Sequence, residues 1–298
     1  MSTSQKIILI TGATAGIGKH TALHLAAKGH RVIGTGRNEK ALAELRAKGL
    51  DAVKMDLTSE ASIREAVAEV ERLTSGHGVD VLVNNAGYGL FGPIEMLSDA
   101  DVRAQFETNV FGQLAVTRAF VPAMRARGWG RVINVSSVGG RMTFPLGGAY
   151  HATKYAVEAL SDAMRMEMRQ FGIRVSVVEP GYIATEFTST TMGLLQKYVD
   201  PSSPYAGAME TAAKADSAIE RFAVGPQSVA RAIEHASVAR FSRALYVAPF
   251  YNAMGPMLMA LVPRFVTDWF FRRVAGLNGN RLPATAGAAA KSAPAIAA

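Results

Sequence analysis

Residues 7–18 read Ile7-Ile8-Leu9-Ile10-Thr11-Gly12-Ala13-Thr14-Ala15-Gly16-Ile17-Gly18. Ile7 to Thr11 is a short apolar, β-branched run without alternation, which predicts a strand buried on both faces. Ile17 to Lys28 has helical periodicity and is closed by Gly29. The residues between them are small. A turn in which the backbone approaches an anion needs that composition, and the N–H groups and dipole of a free helix N-terminus attract the charge. Gly12 allows a tight turn, Gly16 a close approach and Gly18 the packing of helix on strand; Thr14 and Ile17 belong to the same turn. The spacing departs from the common G-x-G-x-x-G, and alone it also describes an ordinary strand-to-helix turn.

The same rhythm continues along the chain. Strands are predicted at Arg31–Thr35, Ala52–Met55, Val79–Val83, Arg131–Val135 and Arg174–Val178. Helices are predicted at Glu39–Lys48, Glu60–Leu73, Asp101–Arg127 and Ala149–Phe171. Continuous apolar strands alternating with amphipathic helices imply an α/β fold: a single Rossmann-type, doubly wound parallel sheet. One domain is expected over residues 1–275. Residues 185–225, rich in Ser, Thr and Pro, read as a mobile substrate lid. Residues 250–275 read as an apolar helical extension, and 276–298, Ala-rich with Gly and Pro, as a flexible tail.

The 298 residues are 49% apolar and carry a formal charge of +8. No nucleic-acid motif accompanies that charge, which is assigned to solvated Lys and Arg and to an anionic cofactor. There is no cysteine, and the six histidines show no ligand spacing, so neither disulfides nor a metal are expected. The N-terminus has no charged leader ahead of a long apolar stretch, and no run reaches the roughly 18 apolar residues of a membrane span. A cytoplasmic protein is expected.

The strand ends carry the candidate cofactor residues. After the second strand stands Gly36-Arg37-Asn38, where a carboxylate would bind the ribose of NAD. Arg37 can instead meet a 2′-phosphate, so NADP(H) is expected. Asp56, followed by Leu57, either accepts from the adenine amine or caps the next helix, and the two readings are equally supported. Asn84-Asn85-Ala86-Gly87 ends the fourth strand with residues small enough for a cofactor to lie against the backbone, or simply forms a turn.

Tyr150 and Lys154 are spaced i, i+4 and share a helix face. A phenol near pKa 10 is a poor acid or base at neutral pH, and an adjacent ammonium lowers it. Ser136-Ser137 ends the fifth strand, where a hydroxyl can donate to a substrate oxygen. Asn109 lies within the long crossover helix.

Together, T-G-x-x-x-G-I-G, N-N-A-G, Asn109, Ser137 and Y-x-x-x-K resemble the short-chain dehydrogenase/reductase family, over about residues 5–190. The resemblance implies a seven-stranded sheet in the strand order 3-2-1-4-5-6-7. It also implies that Tyr150 exchanges the proton, Lys154 lowers its pKa and binds ribose, Ser137 rather than Ser136 polarises the substrate oxygen, and Asn109 completes a water-mediated relay. Pro180-Gly181-Tyr182-Ile183-Ala184-Thr185 resembles the family's P-G-x-x-x-T, so Pro180, Gly181, Ile183 and Thr185 are expected at the nicotinamide. His151, inside the Tyr150–Lys154 motif, is expected to point elsewhere.

The stretches 78–93 and 137–140 resemble the hydroxysteroid and retinol dehydrogenase branch. Tyr88, Met142, Phe144, Phe187 and Met192 are candidate residues of an apolar pocket. The expected reaction interconverts a ketone and a secondary alcohol on a bulky or hydrophobic small molecule. The alternatives are a 3-oxoacyl thioester reductase and, in another class, a non-catalytic NADP-sensing protein. The apolar segment Phe250–Val274 is read as packing on the body or on a partner subunit in preference to a membrane surface. The family resemblance implies a homodimer or homotetramer.

Overall fold

The computed structural model describes residues 4–219 and 223–277. Seven strands, β1 (Ile7–Ile10), β2 (Arg31–Gly36), β3 (Asp51–Lys54), β4 (Val81–Asn84), β5 (Gly130–Val135), β6 (Ile173–Pro180) and β7 (Leu245–Ala248), form one parallel sheet. Their order is β3-β2-β1-β4-β5-β6-β7, as the family resemblance implies. Successive side chains of each strand serve opposite faces. Ile8 and Ile10 join one core with Val32, Val83 and Ile133, covered by Leu25, Leu42, Leu45, Val229 and Ile233. Leu9, Ile33, Leu82, Val132 and Val175 face the other core, under Ile63, Val70, Val116, Phe120, Met124 and Met164.

The first core therefore sits beneath α1 (Gly16–Ala27), α2 (Glu39–Ala47) and α9 (Gln227–Val238), and the second beneath α3 (Glu60–Leu73), α5 (Gln113–Arg127) and α6 (Gly148–Met168). Strands buried on both faces explain the unbroken apolar runs. Between β1 and β4 the winding reverses, which opens a crevice at the carboxyl ends of the strands.

Three segments differ from the sequence reading. The expected continuous helix 101–127 is α4 (Asp99–Phe106), then a π-helical turn over Glu107–Gly112, then α5. The π turn widens the helix where Gly112 meets Leu57: a Cβ on Gly112 would stand 2.6 Å from Leu57 O. The segment 185–225 contains two helices, α7 (Glu186–Gln196) and α8 (Ala206–Ile219), with Thr185 capping α7 by accepting from Phe187 N. The apolar extension is two helices, α10 (Met254–Leu261) and α11 (Arg264–Val274). Phe271 packs on Phe144 with ring centroids 6.4 Å apart, whereas Phe265 is 74% and Trp269 62% exposed. Among the described residues no helix is long and apolar enough to cross a membrane. Of the expected tail, residues 278–298 lie outside the described residues.

Candidate active site

The glycine turn is fastened from beneath by β4. Thr11 Oγ1 accepts from the backbone N–H groups of Asn85 and Ala86, each at 2.9 Å. Asn85 Nδ2 donates back to Thr11 O at 2.9 Å and Gly12 O at 3.3 Å. Thr11, fully buried, is thus a positioning residue that the motif contains but sequence reasoning left without a role. Gly12 adopts φ 65°, and a Cβ there would lie 2.9 Å from Ala86 Cα. A Cβ on Gly18 would lie 2.2 Å from Gly12 O, and one on Gly36 2.5 Å from Thr14 Cγ2. Substitution at any of the three would push this floor apart.

The helix above that floor, α1, has no side-chain cap. Its Gly16 N–H donates instead to Glu186 Oε2 at 3.0 Å, a carboxylate delivered from the start of α7. An uncapped N-terminus over a glycine floor, occupied by an anionic oxygen, suits a pyrophosphate. Ile17 packs against the first core. Arg37 is exposed just beyond β2.

Asp56 does not cap α3. Ser59 does so by accepting from Ser62 N at 3.2 Å. Asp56 Oδ1 accepts from the backbone N–H of Thr58 at 3.0 Å and its hydroxyl at 2.8 Å. The Thr58 N–H, more than the nearby Arg37 charge, holds the Asp56 carboxyl below the usual range. The side chain of Leu57 points into the second core rather than toward the crevice.

Ser137, Tyr150 and Lys154 come together at the carboxyl edge of β5 and the first turns of α6. Tyr150 stands close enough to Ser137 for that hydroxyl to favour its ionised form, and Ser137 Oγ accepts from Gly139 N at 3.0 Å. Burial pushes the Tyr150 phenol up to about 12, against the opposing effect of the Ser137 hydroxyl. Lys154 Nζ donates to Val135 O at 3.0 Å and stands 5.8 Å from the Tyr150 ring centroid. Burial lowers it to about 8, with Glu158 pulling the other way. Both groups are buried, and desolvation is the largest cause of both shifts.

Asn109 is buried in the π turn. Its Oδ1 accepts from Tyr88 N at 3.1 Å, and its Nδ2 donates to Tyr88 O at 2.9 Å and Thr153 Oγ1 at 3.1 Å. Gln105, also buried, donates to Tyr88 O at 2.6 Å and accepts from Leu90 N at 3.2 Å. These two amides fix the loop after Gly87. Nothing in the sequence distinguishes Gln105 from an ordinary helix-surface residue.

The walls are aromatic. Phe91 and Phe187 lie 5.7 and 5.6 Å from the Tyr150 ring, and Phe91 meets Phe144 at 6.2 Å. Tyr88 is half-buried on the anchored loop, and Met142 lies beside Gly255 at the start of α10. Met192 is half-buried on α7. Phe91 and Phe271 are additions to the expected pocket. His151 is a correction: it is buried, its ring is 5.6 Å from Tyr150 and 4.3 Å from Phe144, and its Nδ1 pairs with Gly139 O at 2.9 Å. Burial keeps this imidazole below its usual pKa.

Behind Lys154 lies a carboxyl pair that the sequence did not reveal. Glu179, fully buried at the end of β6, has Arg141 Nη1 at 3.6 Å. Burial, with the neighbouring Glu158, raises it to about 7. Glu158, one turn beyond Lys154 on α6, is likewise raised by burial.

The segment after β6 completes the rim. Ile183 bridges Val224, Thr185 caps α7, and a Cβ on Gly181 would collide with Asn252 Nδ2 at 1.8 Å. Pro180 closes β6 opposite Ala248.

Three comparisons show what the chain is similar to. The chain is 36% identical to 3-ketodihydrosphingosine reductase of Bacteroides thetaiotaomicron, over 86% of this chain and 90% of the relative. It is 34% identical to human retinol dehydrogenase 16, over 88% and 86% respectively. The crystal structure of a short-chain dehydrogenase from Streptomyces avermitilis superposes with a TM-score of 0.76, at 33% identity, covering 90% of this chain and 97% of that one. The short chain dehydrogenase family model matches residues 6–192, and the chain belongs to that family of oxidoreductases.

Proposed function

We propose that the protein is an NADP(H)-dependent carbonyl reductase that interconverts a bulky, apolar ketone and its secondary alcohol. The observation that carries this reading is Tyr150: a buried phenol held at about 12, beside Ser137 and walled by Phe91 and Phe187. At neutral pH such a phenol keeps its proton, which suits a donor to a ketone oxygen.

Bound NADP(H) supplies or accepts the hydride. Gly12, Gly16 and Gly18 with the N-terminus of α1 hold its pyrophosphate, and Thr14 and Ile17 line the turn. Arg37 takes the 2′-phosphate, since an arginine and not a carboxylate directly follows β2. Asp56 with the Leu57 backbone serves the adenine, and Asn85, Ala86 and Gly87 support the ribose side. Pro180, Gly181, Ile183 and Thr185 flank the nicotinamide. Ser137 donates to the substrate oxygen, Tyr150 delivers the proton, and Lys154 positions ribose and stabilises the phenolate left behind. Asn109 holds the Tyr88 loop against that lysine.

Tyr88, Met142, Phe144, Phe187 and Met192, with Phe91 and Phe271, form the apolar enclosure for the substrate. Two relatives are named for lipid substrates, which supports the same class.

The test is loss of NADPH absorbance with a panel of steroid, aryl and long-chain ketones and 3-oxoacyl thioesters, with NADH in parallel. Turnover of apolar ketones with NADPH is expected. Preference for NADH, turnover of thioesters alone, or cofactor binding without turnover of any panel member would overturn the proposal.

A further inference from the structure

The amino edge of the sheet, opposite the catalytic candidates, carries a feature that hydride transfer does not use. A cleft of about 510 Å³ there is lined by Lys6, Trp129, Arg131, Arg169, Arg174 and Arg240 among others, and no Asp or Glu lines it. A neighbouring hollow of about 470 Å³ shares Arg169 and Arg174. None of the five cations enters an ion pair among the described residues.

The backbone puts these charges together. Arg131 on β5 and Arg174 on β6 are directly paired in the parallel register, so two like charges sit side by side. Arg131 is only 5% exposed. Its Nη2 donates to Ala239 O at 3.2 Å, and its Nε, buried, has no hydrogen-bond partner. Lys6 Nζ lies 4.2 Å and the Arg131 guanidinium 5.1 Å from the centroid of the Trp129 ring. Burial lowers the Arg131 pKa, and Arg174 and Arg169 add to the effect. A buried guanidinium crowded by the like charges of Arg174 and Arg169 is costly unless an anion completes it.

We propose that this cleft binds a small soluble anion of the phosphomonoester or diphosphate class, at a site separate from the cofactor pyrophosphate turn. Guanidinium forks match phosphate oxygens in pairs, and the cleft is large enough for a phosphorylated small molecule. Arg131 and Ser137 are six residues apart on nearly extended chain, roughly 20 Å, so the ligand would not touch the reacting groups.

Inorganic pyrophosphate is the probe, titrated calorimetrically into the full chain in excess NADP. One binding event is expected. The double variant Arg169→Gln/Arg240→Gln, both at exposed side chains, should bind at least about tenfold more weakly. That contrast reads the cleft whether or not the dinucleotide binds elsewhere. No heat with the wild type, or equal affinity in the double variant, overturns the proposal. A parallel sedimentation with phosphatidylglycerol vesicles separates the sources of phosphate: retention on vesicles without pyrophosphate binding would make the anion a lipid headgroup and refute a soluble ligand.

Discussion

Replacing Lys154 with methionine should abolish turnover and yet make the cofactor-free protein more stable at neutral pH. The side chain is 6% exposed and donates to Val135 O. A lysine held at about 8 instead of 10.5 disfavours its charged form by about 3 kcal/mol relative to the unfolded chain. Below pH 8 the amine is charged in both states and the whole cost is present. Between pH 8 and 10.5 the folded amine is neutral while the unfolded one still binds its proton, so wild-type stability climbs with pH; above 10.5 the cost is gone. Methionine fills a similar volume without ionising. Leaving Val135 O unpaired costs about 1 kcal/mol, and Glu158 loses an attractive neighbour, so the net gain at pH 7 is about 2 kcal/mol. Urea unfolding of the two cofactor-free proteins, followed by circular dichroism at pH 7 and pH 10, measures it. A variant that is no more stable at pH 7, or a difference that stays constant between pH 8 and 10.5, would refute the reasoning.

Tyr150→Phe should keep cofactor affinity, read by fluorescence titration, and lower kcat by at least about a hundredfold. Arg37→Asp should weaken NADPH by roughly ten- to a hundredfold while leaving NADH nearly unchanged; equal weakening would remove Arg37 from the phosphate site. Glu186→Gln removes a carboxylate from Gly16 N, where the pyrophosphate is proposed to sit. It should tighten NADP(H) a few-fold, as expected for like charges about 4 Å apart in water, and the gain should shrink in high salt. Unchanged affinity would mean that the lid carboxylate and the cofactor do not compete.

The sheet was legible because its strands are buried on both faces, and burial leaves a local mark: Ile7–Ile10, Val81–Asn84 and Gly130–Val135 are apolar or β-branched runs ended by Gly, Asn or Ser. The Tyr150–Lys154 pair was legible because helical spacing alone places both on one face. The lid helices α7 and α8 were not, since their Ser-, Thr- and Ala-rich sequence carries little apolar periodicity. The ionisation of Tyr150 depends on how much of it neighbours cover, and Phe91 and Phe187 arrive from distant segments. Glu158 and Glu179 are 21 residues apart, and no local pattern announces that β6 buries one against the other. His151 was misplaced because a wide helical face near the N-terminus of α6 is covered by the Phe144 loop.

The π turn at Glu107–Gly112 makes this stretch sensitive to length rather than to composition. Gln105, just before it, and Asn109, in its first half, must face the Tyr88 loop; on its downstream side Val116 and Phe120 must face the second core. An ordinary helix turns about 100° per residue and cannot satisfy both directions through the same number of residues. The wide turn is a phase joint, absorbing the mismatch between a helix that serves the crevice and a helix that serves the core. Removing one residue there would leave every remaining side chain chemically acceptable and still rotate one of the two halves away from its partner.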